Sequence, residues 1–135
     1  MKYRSHGNFF SLPNEIFLWG LSSGAFAVYS FLRRCEDRKT RQCWPSIKTI
    51  GKAVNMSENT VRKYIRQLEE RGIITTEPTE IITKAGEKRN GNLLFTLRPI
   101  QEVIDEHYAR QMDELELTAE RQWVAKLLAK RESPA

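Results

Sequence analysis

Apolar residues recur at spacings of three and four along most of the chain and give way to an extended pattern only between residues 73 and 97. Ala25, Val28, Leu32 and Cys35, widened by Phe31, form the first helical stripe, with Ser22 or Ser23 as its N-cap. Ahead of it Phe9, Phe10, Leu12, Ile16, Phe17 and Leu18 supply apolar mass, and Pro13-Asn14-Glu15 starts a short helical turn. Residues 36 to 42 read as a charged connector. Ser46, after Trp44-Pro45, caps a second helix bearing Ile47, Ile50, Ala53 and Val54, and Asn55-Met56 ends it, because Asn tolerates the left-handed conformation of a tight turn. Ser57 caps a third helix from 58 to about 71, with Val61, Ile65 and Leu68 as its buried stripe, Tyr64 flanking, and Gly72 at the C′ position.

Beyond Gly72 the β-branched runs Ile73-Ile74-Thr75-Thr76 and Ile81-Ile82-Thr83, then the apolar run from Leu93 to Leu97, predict strands. Pro78 interrupts or bulges the first strand, and residues 84 to 91 form a flexible basic hairpin tip. Pro99 opens a helical tail with Ile100, Ile104, Tyr108, Met112 and Leu115 at helical spacing. Trp123, Val124, Leu127 and Leu128 are expected to continue that face after a hitch at Leu117-Thr118. The order helix, helix, short turn, helix, strand, basic loop, strand, helix is that of a winged helix-turn-helix. The expected class is α+β, mainly α with a small β-hairpin. Residues 1–98 make the winged domain (extension 1–21, wing 73–97), and 99–135 a C-terminal helical tail.

Charge sharpens this picture through its distribution. Residues 33–71 hold 11 Lys/Arg against 5 Asp/Glu, and residues 84–98 hold 4 against 1, whereas the tail from 99 holds 5 against 8. A basic middle beside an acidic tail fits a nucleic-acid surface joined to a solvated or partner-binding helix. Cys35 and Cys43 lack a CxxC spacing, and His6 and His107 are remote from them and from each other, so neither a metal nor any other cofactor is expected. No Gly-rich phosphate loop or nucleophile–base constellation occurs, and no enzyme is expected. The uncharged stretch 16–32 sits at the short end of what a membrane span needs and breaks at Leu21-Ser22-Ser23-Gly24. A core segment of a cytoplasmic protein is expected instead.

The third helix carries the sharpest chemistry. With Val61 at 0° and about 100° per residue, Ile65 and Leu68 fall at about 40° and 340°. On the other side Arg62, Arg66, Asn59 and Lys63 fall at about 100°, 140°, 160° and 200°, flanked by Gln67 and Thr60 near 240° and 260°. Arg suits guanine bidentately, Asn suits adenine, and Thr serves a phosphate or a thymine methyl. Ser57, Asn59, Thr60, Arg62, Lys63, Arg66 and Gln67 are therefore the candidate DNA-reading set. Ser46, Lys48 and Lys52 are candidates for the backbone, although the Ser46 hydroxyl can equally serve as a pure cap. Lys84, Lys88 and Arg89 at the wing either follow an adjacent backbone or merely solubilise a turn.

The run from Trp44 to Ile74 resembles the winged helix of GntR-type bacterial regulators, and more closely the helix-turn-helix domains of phage, plasmid and mobile-element proteins. The likeness rests on Pro45-Ser46, Ile50, Ala53, Ser57, Thr60-Val61-Arg62, Leu68 and Gly72-Ile73-Ile74. With Phe10-Ser11-Leu12-Pro13-Asn14 and Ala27 to Leu32 ahead of them, it spans about residues 9 to 97. The resemblance implies DNA-binding roles for Ser46, Thr60 and Arg62. Gly51 departs from it, standing where a better helix former is usual and loosening the second helix. Only the helical tail follows, so a metabolite-sensing repressor of the full GntR kind is not expected. The implied function is sequence-specific binding of double-stranded DNA by a regulator or replication-initiation factor, acting as a homodimer. The tail's stripe either packs on its own domain or pairs with a second copy, and Trp123, Val124, Leu127 and Leu128 are its expected partner surface. The rival reading is a protein-interaction scaffold using the same tail.

Overall fold

A computed structural model describes residues 8–132. The chain divides into two units, one ending at Ile100 and one beginning at Gln101. In the first unit a 3-10 turn at Asn14–Leu18 precedes helix α1 (Ser23–Cys35), strand β1 (Gln42–Cys43), α2 (Ile47–Val54) and α3 (Glu58–Glu70). Strands β2 (Ile74–Glu77), β3 (Glu80–Ile82), β4 (Lys88–Asn90) and β5 (Leu94–Leu97) follow, and α4 (Ile100–Glu132) runs almost wholly in the second unit. The class is α+β.

Local chemistry sets the helix limits. Ser22, Ser46 and Ser57 each turn a hydroxyl onto the amide three residues on, at Ala25, Thr49 and Thr60. Asn55 ends α2 in the left-handed region at φ 58°, and Gly72 ends α3 at φ 71° with the Ile73 amide returning to the Leu68 carbonyl. The stripes then meet in one core. Ile16, Trp19, Val28, Tyr29, Leu32, Ile50, Val61, Leu68, Phe95 and Leu97 are all buried, with α1 against both α2 and α3. Ala53 faces outward, and the buried small residue of α2 is Gly51. Of the N-terminal apolar run Ile16 enters the core, while Phe9, Phe10, Phe17 and Leu18 stay exposed.

The extended region differs from a single long hairpin. β5 lies between β1 and β2, antiparallel to both, with Cys43 opposite Phe95 and Ile74 opposite Leu97. β1 ends what reads as a connector in the sequence. Asp37 folds the preceding turn by accepting the Lys39 amide at 2.8 Å, and Arg41 takes φ 59° to enter the strand. β3 and β4 pair separately as an outer ribbon, Ile82 opposite Lys88, beyond a break at Pro78-Thr79 and Gly91–Leu93. Pro78 has no amide to give a ladder, so the sheet stops there. α4 has no hitch at Leu117-Thr118: the helix is continuous from Ile100 to Glu132, and the Thr118 hydroxyl donates to the Glu114 carbonyl at 2.8 Å.

Gly51 reverses its sequence reading. A Cβ there would stand 2.7 Å from the Met56 carbonyl oxygen, and the Gly51 carbonyl accepts the Asn55 and Met56 amides. The glycine lets the turn fold back on α2. Alanine normally stabilises a helix interior by about 1 kcal/mol over glycine, so the sign is diagnostic. Gly51→Ala should instead lower the unfolding free energy by about 1–3 kcal/mol, read from urea denaturation. Burial also pushes the Cys35 and Cys43 thiols up to about 12, Cys43 with its sulfur against the Leu32 carbonyl. An ordinary thiol ionises near 8.5, so native alkylation at pH 8 should run roughly a thousandfold below that of the denatured chain. Rapid labelling of the folded protein would contradict this.

Candidate nucleic-acid interface

α3 is fixed from behind by its apolar stripe. Val61, Ile65 and Leu68 are buried, so the 3.6-residue period turns Asn59, Arg62, Lys63 and Arg66 outward, and all four are exposed. Arg62 donates to the Asn59 side-chain oxygen at 3.3 Å, and the Lys63 ammonium stands 5.5 Å from the Tyr64 ring centre. The four form one continuous polar face, of one sign until the last turn of α3, where the exposed Glu70 falls in line between Asn59 and Lys63. Glu58 opens the helix beside it, where a negative charge suits the helix dipole, and Glu69 is held by the Thr76 hydroxyl of β2.

Thr60 and Gln67 are placed differently. Both are half-buried on the α1 side of α3. Gln67 accepts the Ser22 hydroxyl at 3.4 Å, and Thr60 shares a 2.8 Å hydrogen bond with Ser57. Ser46 repeats that arrangement at the start of α2, capping the Thr49 amide at 3.0 Å and pairing with the Thr49 hydroxyl at 2.8 Å. Both serines are therefore working caps. Lys48 and Lys52 are exposed.

Between α2, α3 and the base of the ribbon lies a cleft of about 490 Å³. Lys48, Arg62 and Arg66 line it together with Ser46, Glu58, Glu69 and Gly91, Asn92 and Leu93. Asn92 and Leu93 are absent from the sequence-derived set. Their one signal is the Asn90-Gly91-Asn92 run, which reads as a turn and carries no chemical cue. Asn92 is anchored by its amide to the Trp44 carbonyl at 3.1 Å. Lys84, Lys88 and Arg89 are exposed on the outer ribbon, Lys84 in its tip and the other two on β4, with Arg89 3.6 Å from Glu87.

Trp123, Val124, Leu127 and Leu128 are exposed on α4. The four spread over about 140° of the helix surface. At about 100° per residue, Trp123 and Leu127 follow the Tyr108–Met112–Leu115 side, while Val124 and Leu128 join Leu117 on the other.

The family model described as "Helix-turn-helix domain" matches residues 20–74, which hold α1, α2 and α3. This stretch, about two fifths of the chain, is similar to that family. No curated protein matches the chain. Among solved structures, a possible transcriptional regulator from Methanosarcina mazei Go1 is similar at 15% identity and TM-score 0.52, over 76% of this chain and 80% of that one. The adhesin competence repressor of Streptococcus pyogenes is 16% identical over 89% and 92%, with TM-score 0.41. Lactococcus lactis ZitR, a C30S mutant solved in complex with DNA, is 14% identical over 94% and 82%, with TM-score 0.40. The likeness of fold rests on the first.

One contact sets how closely α3 is drawn onto α1. Gly24 is buried under the Tyr64 ring, and a Cβ at Gly24 would overlap ring carbons and the phenol oxygen. Gly24→Ala should therefore destabilise by about 1–3 kcal/mol in chemical denaturation. Adding Tyr64→Ala should recover part of that loss, whereas purely additive losses would show that the two residues do not meet.

Proposed function

We propose that the chain binds double-stranded DNA sequence-specifically, with α3 in the major groove. It would act as a regulator of transcription or of replication initiation for a mobile element, in the cytoplasm and as a homodimer. The observation that carries this is the outward face of α3. Asn59, Arg62, Lys63 and Arg66 stand open to solvent directly after the turn at Ser57, beside the exposed Lys48 and Lys52. An α-helix fits the major groove, and these side chains match base edges and phosphates. Lys84, Lys88 and Arg89 extend the same chemistry onto the ribbon. The mobile-element setting is supported by the sequence resemblance alone. No helix among the described residues is long and apolar enough to cross a membrane. The scaffold reading draws on the exposed apolar residues of α4, and it predicts no response to salt or to α3 substitutions.

Duplexes selected from a random pool should bind with a log–log salt slope of about −0.9 per phosphate neutralised. Lys63→Ala and Arg66→Ala should weaken all sequences alike. Arg62→Ala should cost about 1–3 kcal/mol on the selected site and relax its preference. Because Arg62 is hydrogen-bonded to Asn59, Asn59→Ala in the Arg62→Ala background should cost less than Asn59→Ala alone. Binding indifferent to salt and to Arg62 would defeat the proposal in favour of the scaffold.

A further inference from the structure

α4 is 33 residues long and exposed from Tyr108 to Arg131. Counted from Tyr108 at about 100° per residue, Ile104, Met112, Leu115 and Ala119 fall within about 40°, and Trp123 and Leu127 follow at about 60° and 100°. Among them Tyr108 is 48%, Met112 56%, Leu115 64%, Trp123 64% and Leu127 41% exposed. This is one slowly winding apolar stripe, and solvent is a costly neighbour for it. Charge along the same helix is segregated. Gln101 to Leu117 holds one Arg against six Asp/Glu, and Thr118 to Arg131 holds four Lys/Arg against one Glu.

We propose that α4 pairs antiparallel with α4 of a second copy of this chain, about a two-fold midway between Leu117 and Thr118. The proposal gives the homodimer in the functional reading its interface, and it depends on that part of the reading and not on the DNA contacts. In this register Tyr108 meets the partner's Leu127, Met112 meets the partner's Trp123, and Leu115 and Ala119 fill the centre. A two-fold makes every such contact occur twice. The acidic half of each helix then lies along the basic half of the other. Asp105 meets the partner's Lys130, and both fall within about 60° of the stripe's origin. The Asp105 carboxylate is already oriented, accepting the Gln101 amide at 2.9 Å. A parallel pair would set Asp105 against Asp105 and Lys130 against Lys130, so the charge pattern selects one orientation. Leu117, Val124 and Leu128, at about 160–200°, stay outside this contact and provide an internal control.

The test is sedimentation equilibrium of the full chain across the micromolar range, with circular dichroism to confirm that each variant stays helical. The wild type should dimerise. Asp105→Lys and Lys130→Glu should each weaken association about 5- to 30-fold, since each turns two attractive pairs into repulsive ones. Combined, they should restore it to within about threefold of wild type, because the swapped charges still meet as opposites. Met112→Glu should weaken association more than about tenfold, and Leu128→Glu less than about threefold. A chain that remains monomeric overturns both the pairing and the dimer. A dimer in which the combined swap adds the two losses, or in which Leu128→Glu disrupts as much as Met112→Glu, overturns the pairing alone. Salt-dependent duplex binding is read separately, so none of these results is confused with failure of the DNA reading.

Discussion

Everything on the outward side of α3 depends on what is locked behind it. Val61, Ile65 and Leu68 are buried against α1 and α2, and two glycines without room for a methyl group permit that approach. Gly24 lies under the Tyr64 ring, and Gly51 lies against the Met56 carbonyl. A close-packed core leaves little freedom of translation or rotation. The guanidinium and ammonium groups on the opposite face are therefore presented by a rigid mount. Their long side chains can still adapt, but their Cα positions cannot drift.

The caps show how the same serines bound the helices and shape the edge of the site. Ser46 with Thr49, and Ser57 with Thr60, make the same hydroxyl pair at the same 2.8 Å separation. Each serine also accepts an amide that the first helical turn would otherwise leave orphaned. A phosphate approaching either terminus would meet a serine whose hydroxyl is already engaged. The Lys48, Arg62 and Arg66 cations line the cleft beside the Ser46 cap.

What could be read in the sequence follows the range of the interaction responsible. Helix limits at Ser22, Asn55, Ser57 and Gly72 were legible because capping acts over three or four residues. The outward placement of Asn59, Arg62, Lys63 and Arg66 was legible because helical period alone dictates it once Val61 and Ile65 are buried. β1 was not. Two residues are too short to show alternation, and the partners of Gln42 and Cys43 lie more than fifty positions away at Thr96 and Phe95. Gln67 and Thr60 look equivalent to Lys63 on a helical wheel, but α1 passes along their side and brings the Ser22 hydroxyl to Gln67. Gly51 was misread for the same reason. Propensity counts it as a weak helix former, and only the return of the chain at Met56 shows why a side chain is excluded.

α4 presents the reverse case, in which knowing that a helix is unbroken changes the meaning of its sequence. A hitch at Leu117-Thr118 would rotate the second half as a block, changing how Trp123, Val124, Leu127 and Leu128 line up with Tyr108 and Met112 but not with one another. α4 is continuous through Leu117 and Thr118, so the phase runs through. Trp123 and Leu127 therefore stay in phase with the Tyr108–Met112 side, and Val124 and Leu128 each lie about 100° on from them. A single straight neighbour can cover only one of the two sides. The side that extends along the whole helix, flanked by opposite charges at opposite ends, can be covered by its own inverted copy. The shorter side formed by Leu117, Val124 and Leu128 has no such self-complement, since the same two-fold sets Leu117 against the partner's Thr118, Val124 against the partner's Gln111 and Leu128 against the partner's His107.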